Sequence, residues 1–572
     1  MKKVCIITIA VFLMVSKGLF AAGGRQDAIG PTTVTWGGTF LIGDGTLDTD
    51  VYRYLQEQAN VKIDYTFYDS DRMSLILASG DLPDIVSGTE RYLPNVFNNK
   101  LAMNLDPILE THIPNALSPI FKLRDDLVRM FLGGSDNGLY IISCGLGPEG
   151  GGGNADLSRC YSVRWDYYKA IGAPPINNDD DFVSAIKAMA ERFPTIPDGR
   201  KTLGIGMVNN FTSFFAHGMV TSGLNIWTFR YSQYMGDFVT NEIHNGYTDT
   251  SRSAYWNDMK LWNKLYREGL FDIDSFTMTT DEFNAKHNSG LYVASYSRND
   301  NMYNEMRKTD PNTLAGFMPI PSTGAVVFVD NPLIFGNAPA LYNFISSKSK
   351  NWEAAARIIN VMHDPDFIRI QYSGFKGVHW DYNAQGIPIL FDSTIDAYSE
   401  NSEAWKKTGI RNTIGHTNTI DSTAMHPDGY LFGLFNEKAY QSNQRGLSPL
   451  YLDYSNFYNV LYPSAALNNL VQEGKTKGLG NNFVEIISVG LNDVPIDIER
   501  TISNLDNILY RALPRLITAE NDAVFNNEVQ RTLNDLRTAG EPQAWEWIRT
   551  NYNKYKIMVD PIISEYNALK KM

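Results

Sequence analysis

The stretch DVYRYLQEQANVKIDYTFYDSDRMSLILASGDLPDIVSG (Asp50–Gly88) decides the fold, because helix and strand patterns alternate along it. Its apolar spacing predicts a helix over 50–59, a strand over 61–68, a helix over 72–78 and a short buried strand at Ile85–Val86. A further strand pattern, TVTWGGTFLIGD (Thr33–Asp44), precedes it. This β-α-β-α-β order predicts an α/β fold with a mostly parallel sheet and helices on both faces.

A second region repeats the alternation. Amphipathic helix patterns cover Phe182–Arg192 and Ala254–Glu268, and strand patterns cover Thr202–Asn209 and Gly290–Tyr296. Ligands of such sheets bind beyond the carboxyl ends of the strands, so the residues that follow each strand are candidates for contacts.

The last third of the chain is less regular. Asn351–His363 predicts a strong helix, and the residues from Ile502 onward have an almost continuous helical pattern. Residues 381–497 are rich in Asn, Ser, Tyr and Gly and predict long loops around short helices.

The first two dozen residues have the pattern of a signal peptide. Lys2 and Lys3 precede the apolar run Val4–Val15, which is too short to span a bilayer, and small residues follow at Ala21–Gly24. No cysteine stands at the expected cleavage site to carry a lipid, so we expect a secreted protein, periplasmic or extracellular. An uncleaved anchor is the alternative.

The composition is that of a folded protein whose length exceeds one hydrophobic core, so two or more domains are expected. The formal net charge of −13 becomes −16 when Lys2, Lys3 and Lys17 leave with the signal. A nucleic-acid partner is excluded because such binding needs a basic face.

Two cysteines, Cys144 and Cys160, remain in the mature chain. Strand-like residues flank both, and the glycine run Gly150–Gly153 lies between them. Two cysteines in an exported protein predict a disulfide across the base of a hairpin, and two free thiols are the alternative.

The sequence contains none of the usual enzyme signatures that we searched for. It has no HExxH zinc motif, no GxSxG nucleophile elbow and no GxxxxGK[ST] phosphate loop. One GxGxxG does occur, at Gly145, Gly147 and Gly150, but Pro148 and the following glycines prevent a helix from starting there. We therefore predict no cofactor and no catalytic residues, although no carboxylate pair is selected or excluded by its spacing.

Six blocks in order resemble the extracellular solute-binding proteins of ABC importers, in the large oligosaccharide-binding branch. They are similar to the lipoprotein-like proteins associated with uptake of alginate or aldouronate fragments. The blocks are LILASGDLPDIVSG (Leu75–Gly88), NKLAMNLDPILETHIPN (Asn99–Asn115), RWDYYKAIGAPP (Arg164–Pro175), Leu261–Tyr296, Phe344–Met362 and Tyr372–Ile389.

The resemblance implies a two-lobed type II periplasmic-binding-protein fold, each lobe with a mostly parallel sheet, joined by a hinge and completed by a helical C-terminal region. The predicted division is a signal peptide at 1–24, lobe 1 at 25–140, lobe 2 at 141–320, more of lobe 1 at 321–378, and the hinge return with the rest of lobe 2 at 379–572.

The resemblance also implies a function. A monomer would capture a carbohydrate, most simply an oligosaccharide, by hinge closure and deliver it to an ABC permease. A secreted glycan-active enzyme and a sugar-binding sensor or adhesion module are the alternatives.

Candidate ligand contacts are polar or aromatic residues at strand ends and at the hinge. Three of them have a structural alternative: a turn or cap for Asp44, a surface ion pair for Arg298 and core packing for Trp380. The candidates are Asp44, Gly88, Asn209, Trp227, Tyr296, Arg298 and Trp380.

One segment departs from the family pattern. Many members carry an acidic calcium loop after the helix that matches Phe182–Arg192, whereas Phe193–Gly204 has Asp198 as its only carboxylate. Calcium takes six or more oxygen ligands, so we predict no metal in this loop.

Overall fold

A computed structural model gives the structure of the chain over most of its length. The described residues are 31–39, 47–147, 157, 160–222, 224–225, 233–237, 240–296, 303–304, 306–307, 310, 313–328, 341–412, 417–436, 447–479, 484, 487, 491 and 494–569.

The structure contains short strands and many helices. The strands are β1 (Thr32–Gly38), β2 (Val61–Phe67), β3 (Ile85–Gly88), β4 (Ile142–Ser143), β5 (Tyr161–Arg164), β6 (Leu224–Asn225), β7 (Tyr234–Asp237), β8 (Glu242–Asn245), β9 (Ala294–Ser295), β10 (Phe317–Ile320), β11 (Val327–Phe328), β12 (Tyr342–Ile345), β13 (Trp380–Tyr382), β14 (Pro388–Leu390) and β15 (Gly478–Leu479).

The helices alternate with these strands in the first half and dominate the end of the chain. They are α1 (Asp50–Ala59), α2 (Ser70–Ser79), α3 (Leu93–Asn98), α4 (Leu109–His112), α5 (Pro119–Leu132), α6 (Trp165–Ala170), α7 (Asp179–Arg192), α8 (Ala216–Ser222), α9 (Ala254–Arg267), α10 (Thr280–Asn288), α11 (Trp352–Met362), α12 (Pro365–Ser373), α13 (Asp392–Glu400), α14 (Glu403–Thr408), α15 (Pro449–Phe457), α16 (Pro463–Gln472), α17 (Ile496–Ile517), α18 (Asp522–Thr538) and α19 (Glu541–Leu569).

The first sheet has the strand order β2-β1-β3-β12-β4. β1 pairs in parallel with β2 and β3, whereas β12 pairs antiparallel with β3 and β4. The predicted strand Thr33–Asp44 is observed as β1 up to Gly38, and residues 40–46 lie outside the described part. The predicted β-α-β-α-β order is confirmed for this sheet.

Local sequence explains the two crossover helices of this sheet. The Thr49 side chain accepts a hydrogen bond from the backbone N–H of Tyr52, and Asp69 caps α2 in the same way. Asn60 and Gly80 end the two helices in the left-handed conformation, which Asn and Gly adopt at low cost. Each helix therefore starts and stops where its side chains favour it.

A second sheet has the order β10-β5-β9, and both of its strand pairs are antiparallel. Beside it, isolated parallel bridges join Leu203 to Tyr292 and Ile205 to Phe271. The α/β class is confirmed, but the expectation of a mostly parallel sheet in this region is corrected. The predicted strand Thr202–Asn209 forms only these bridges, because its backbone bonds run to loop residues such as Leu270.

Two large groups of buried side chains form the core. The first cluster surrounds the first sheet and includes Trp36, Leu55 and Phe344, and the second cluster includes Trp165, Trp262 and Leu509. Followed through the described residues, the chain passes between the clusters within 143–160, 328–341 and 436–449. Two separate cores joined by three connections agree with a two-lobed arrangement.

Helix α5 touches both clusters. Leu127 belongs to the second cluster, whereas its neighbour Val128 belongs to the first. The Phe131 ring also lies 6.2 Å from the Tyr555 ring of α19. This helix therefore forms a direct packing contact between the two halves.

The C-terminal helices α17, α18 and α19 complete the second cluster. Tyr255 on α9 donates a hydrogen bond to the Leu509 carbonyl, and the Asn263 amide donates to the carbonyls of Ile517 and Ala519. Leu505, Leu509 and Leu516 of α17 repeat at helical spacing and are fully buried. The predicted helical tail is confirmed and begins at Ile496.

The predicted Cys144–Cys160 disulfide is not present, and this expectation is corrected. Cys144 follows β4 in the first sheet, where its sulfur accepts a hydrogen bond from Asn343 at 3.3 Å. Cys160 precedes β5 in the second sheet, where its thiol donates to the Ile320 carbonyl at 3.1 Å. The flanking strands do not form the expected hairpin, because each pairs with a distant strand of its own sheet.

The predicted lobe boundaries stay a prediction. The packing adds two observations about them. β4 lies in the first sheet, although it falls within 141–320, the range predicted for lobe 2. Ile395, Trp405 and Phe435 belong to the first cluster, although they fall within 379–572, which is also predicted to complete lobe 2. Within the described part of the chain, we find no helix whose length and hydrophobicity would let it cross a membrane.

Candidate functional site

The first sheet presents one edge at which three parallel strands end. Gly37 and Gly38 close β1 there, and a side chain at Gly37 would begin 2.1 Å from the Tyr68 ring. A side chain at Gly38 would begin 2.7 Å from the Tyr65 hydroxyl. The two glycines therefore let both tyrosines lie directly against the end of β1.

A chain of buried hydrogen bonds runs across this sheet just behind the edge. The Trp36 indole donates to the Ser87 hydroxyl at 2.7 Å, and that hydroxyl donates to the Asn343 side-chain oxygen at 2.5 Å. The Asn343 amide then reaches the Cys144 sulfur. Four neighbouring strands are thus joined by side chains as well as by the backbone, which makes this edge a rigid platform.

Gly88, a predicted contact, ends β3 at this edge. It pairs with Tyr342, and a side chain at Gly88 would begin 2.7 Å from the Tyr342 hydroxyl. The glycine is buried beneath that ring, so the close approach it permits is made by Tyr342. A role of Gly88 in ligand contact stays a prediction.

Two predicted contacts, Asn209 and Tyr296, come together at a second edge. They follow the parallel segments joined by the Leu203–Tyr292 bridge, and the backbone N–H of Val208 lies 3.4 Å from the Tyr296 hydroxyl. Asn209 is exposed, and Tyr296 is half-buried. The residues that follow these two segments therefore lie close together, and a ligand contact of either one stays a prediction.

Two residues that the sequence did not indicate also lie at this edge, and one of them belongs to the C-terminal helices. The Tyr510 hydroxyl of α17 donates a hydrogen bond to the Asn209 side-chain oxygen, and the Phe211 ring lies edge-on to Tyr510 at 6.0 Å. Tyr510 is separated from Asn209 by 301 positions in the chain. No local pattern predicts that contact, because it depends on how α17 packs.

Trp380 occupies a different environment from the one expected of an exposed stacking platform. It is only 5% exposed, its indole donates to the Gly374 carbonyl at 2.8 Å, and the Arg369 guanidinium lies 5.2 Å from its ring. Arg369 is itself held by both oxygens of Asp428. Core packing, the alternative noted for Trp380, describes this arrangement, and a ligand contact of Trp380 stays a prediction.

Three predicted contacts, Asp44, Trp227 and Arg298, lie outside the described residues. Asp44 belongs to a segment that follows β1, and Arg298 follows Tyr296 by two positions. They stay predictions.

The segment Phe193–Gly204, for which we predict no metal, holds an internal ion pair. Both oxygens of Asp198 are engaged by Arg200, through its guanidinium at 2.6 and 2.9 Å and its backbone N–H at 3.1 Å. These bonds lower the pKa of Asp198. Among the described residues, no three His, Cys, Asp or Glu side chains form a group that would hold a metal ion.

A second ionisable cluster lies inside the second core, at the junction of α7, α8 and α9. His217 lies 3.4 Å from Asp179, which also accepts a hydrogen bond from Tyr161, and Asp258 accepts from the backbone N–H of Gly218. Burial raises the pKa of Asp258 to about 8, although the charge of His217 opposes this. Burial is the largest influence on His217 and disfavours its charged form, but the bond to Asp179 and the charges of Asp258 and Asp179 together raise its pKa.

Comparison with known proteins identifies solved structures that share the fold of this chain. No protein-family model matches the chain. Alginate-binding protein AlgQ2, in a structure without calcium ion, superimposes over 91% of this chain and 98% of its own, with a TM-score of 0.55 and 15% identity. This is the fold of ABC-transporter solute-binding proteins.

A second solved protein with this fold is the S. pneumoniae ABC-transporter substrate-binding protein FusA in complex with kestose. It matches over 92% of this chain and all of its own, with a TM-score of 0.59 and 15% identity. A curated relative, Lipoprotein LipO of Bacillus subtilis (strain 168), is 24% identical over 250 residues, which is 42% of this chain and 45% of LipO. The chain thus matches less than half the length of that relative.

Proposed function

We propose that the chain is an extracytoplasmic solute-binding protein that captures a carbohydrate, in the simplest case an oligosaccharide, and delivers it to an ABC permease. The observation that carries this proposal is the likeness of the fold along nearly the whole chain to binding proteins for alginate and kestose. The two buried cores, which three connections join, also support this proposal, because a binding protein that closes around its ligand needs two lobes. The signal-peptide pattern supports secretion. We also propose that the protein acts as a monomer outside the cytoplasm.

The ligand would bind between the two edges described above. Each edge combines what a sugar needs: aromatic rings for the apolar face and oxygen or amide groups for the hydroxyls. Asn209, Tyr510 and Phe211 supply these groups on the second edge, and Tyr65 and Tyr68 supply rings on the first. A ligand that touches both edges stabilises the closed form and so shifts the population toward it.

The first experiment is a thermal-shift screen of the mature protein against kestose, an alginate tetrasaccharide and neutral glucose oligosaccharides, with recovery of the sugar after each hit. A ligand at 100 times its dissociation constant adds about 2.7 kcal/mol to the free energy of unfolding, so a true ligand gives a clear shift. Intact sugar with a shift supports the proposal. Cleaved sugar favours a glycan-active enzyme, and the absence of any shift overturns the carbohydrate class.

Variants locate the site once a sugar is found. Asn209→Ala and Tyr510→Phe are expected to weaken binding several-fold, because each removes a hydrogen-bonding group at the second edge. Tyr266→Phe is the matched control, since Tyr266 is also half-buried in the second cluster but takes no part in that group. Equal affinity of all three variants and the parent protein would exclude the second edge from the site.

A further inference from the structure

An open groove of about 530 Å³ lies on the C-terminal helices, between the start of α17 and the first turns of α19. Its size falls within the range of small-molecule sites. It is separate from the residues of the two edges. The lining includes Ile498, Pro542, Gln543, Glu546, Trp547 and Asn551.

One tryptophan of the groove, Trp547, is only partly covered by the packing of the core. Trp545, two positions earlier on the same helix, stacks on the buried Tyr234 ring at 5.5 Å and 24°. Trp547 also packs against the second cluster, but it is only half-buried and its remaining surface lines the groove. Beside it, Ile498 and Pro542 extend the apolar surface.

Amide groups border this surface. The Asn551 amide donates to the Trp547 carbonyl at 2.9 Å, which leaves its side-chain oxygen as an acceptor. Within the described part of the chain, no residue forms a hydrogen bond with the exposed Gln543 side-chain amide. An aromatic surface bordered by amides suits a pyranose ring, which has C–H groups on its face and hydroxyls around its rim.

The charges favour a neutral sugar. Glu546 is the only ionised residue of the lining, and it is paired with Arg549 at 2.7 Å. The rest of the mature chain is strongly acidic. An anionic sugar would therefore meet a carboxylate and no unpaired cation in the lining.

We propose that this groove is a second carbohydrate site, which binds a neutral pyranose unit outside the cleft between the lobes. One stacked ring with a few hydrogen bonds corresponds to an affinity of about millimolar. The site would hold a neighbouring part of a long glycan, or a second chain, near a protein whose main site is elsewhere.

The test uses the mature protein labelled with 5-fluorotryptophan and fluorine NMR. Trp547→Phe and Trp545→Phe assign the two resonances, and Trp545 serves as the matched control because it faces the core. Maltotetraose is the neutral probe, and an alginate tetrasaccharide is the acidic one. We expect maltotetraose to move the Trp547 resonance saturably while the Trp545 resonance stays in place.

Two surface variants sharpen the result. Gln543→Ala and Asn551→Ala are expected to weaken the maltotetraose response of Trp547 about five-fold while the other tryptophan resonances keep their positions. A Trp547 resonance that does not move, moves without saturation, or responds equally to the acidic sugar would overturn the proposal. The thermal-shift response of Trp547→Phe reports the main site separately, so failure of the main function and failure of this groove are distinguishable.

Discussion

Replacing Asp258 by Asn is expected to remove a large part of the pH dependence of stability. The carboxyl is fully buried, and its pKa is about 8 in the folded protein against 3.8 as the ordinary value. Between these values the folded state binds one proton more than the unfolded state, so stability falls as pH rises. The loss is about 1.4 kcal/mol per pH unit, or about 2.7 kcal/mol from pH 5 to pH 7.

Two ionisable neighbours of Asp258 also change the pH dependence of stability, each in a direction set by its own pKa shift. The raised pKa of His217 adds a loss of stability as pH rises, whereas the lowered pKa of Asp179 gives stability that is lost only in acid. Subtracting the variant from the parent protein leaves the part due to Asp258 together with its charge coupling to His217. Asn keeps the acceptor for the Gly218 N–H, so the local bond survives.

The assay is urea denaturation of the parent protein and Asp258→Asn at pH 5, 6 and 7, with the exposed Asp535→Asn as control. The difference in unfolding free energy between parent and variant should change by about 1.4 kcal/mol per pH unit. The free energy of unfolding of the control should change with pH in the same way as that of the parent protein. A constant difference across this range would mean that Asp258 does not change its protonation there, and the reasoning from burial would be wrong.

Three further outcomes follow from contacts described above. Gly88→Ala should destabilise by about 1–3 kcal/mol in urea, and Tyr342→Phe in the same chain should restore part of this because the added methyl meets the hydroxyl. Cys144 and Cys160 should react with a thiol reagent only after the protein is unfolded, and no reductant should be needed. If they react only after reduction, the two cysteines form a disulfide after all. Tyr510→Phe should lower sugar affinity by about two- to ten-fold, measured by calorimetry, and an unchanged affinity would place Tyr510 outside the site.

Patterns within one element were read well from the sequence. The helix predicted over 50–59 ends as expected, because Thr49 and Asn60 provide the caps locally. The helix predicted over Ala254–Glu268 is observed as α9, and its apolar face, which includes Trp256 and Trp262, is buried in the second cluster. Such features depend on residues a few positions apart, so their physics is visible in the sequence.

Features that depend on distant pairing were read poorly. The hairpin expected between the two cysteines fails because β4 pairs with β12 and β5 pairs with β10, each from far along the chain. The same limit hid Tyr510, whose partner Asn209 is 301 positions away. Trp380 shows a different limit: its partners Gly374 and Arg369 are near in sequence, but no residue pattern shows that they enclose its ring.

The order of strands in the first sheet has a consequence for how the chain is made. β12 lies between β3 and β4, so the sheet lacks a middle strand until residue 345 has been synthesised. Sheets with such distant pairings fold slowly. Until residue 345 is made, β4 lacks its neighbouring strand, so this sheet stays incomplete for more than half of the synthesis of the chain. We expect fragments that end near residue 147 to be degraded, because they contain β4 without the strand that joins it to the sheet.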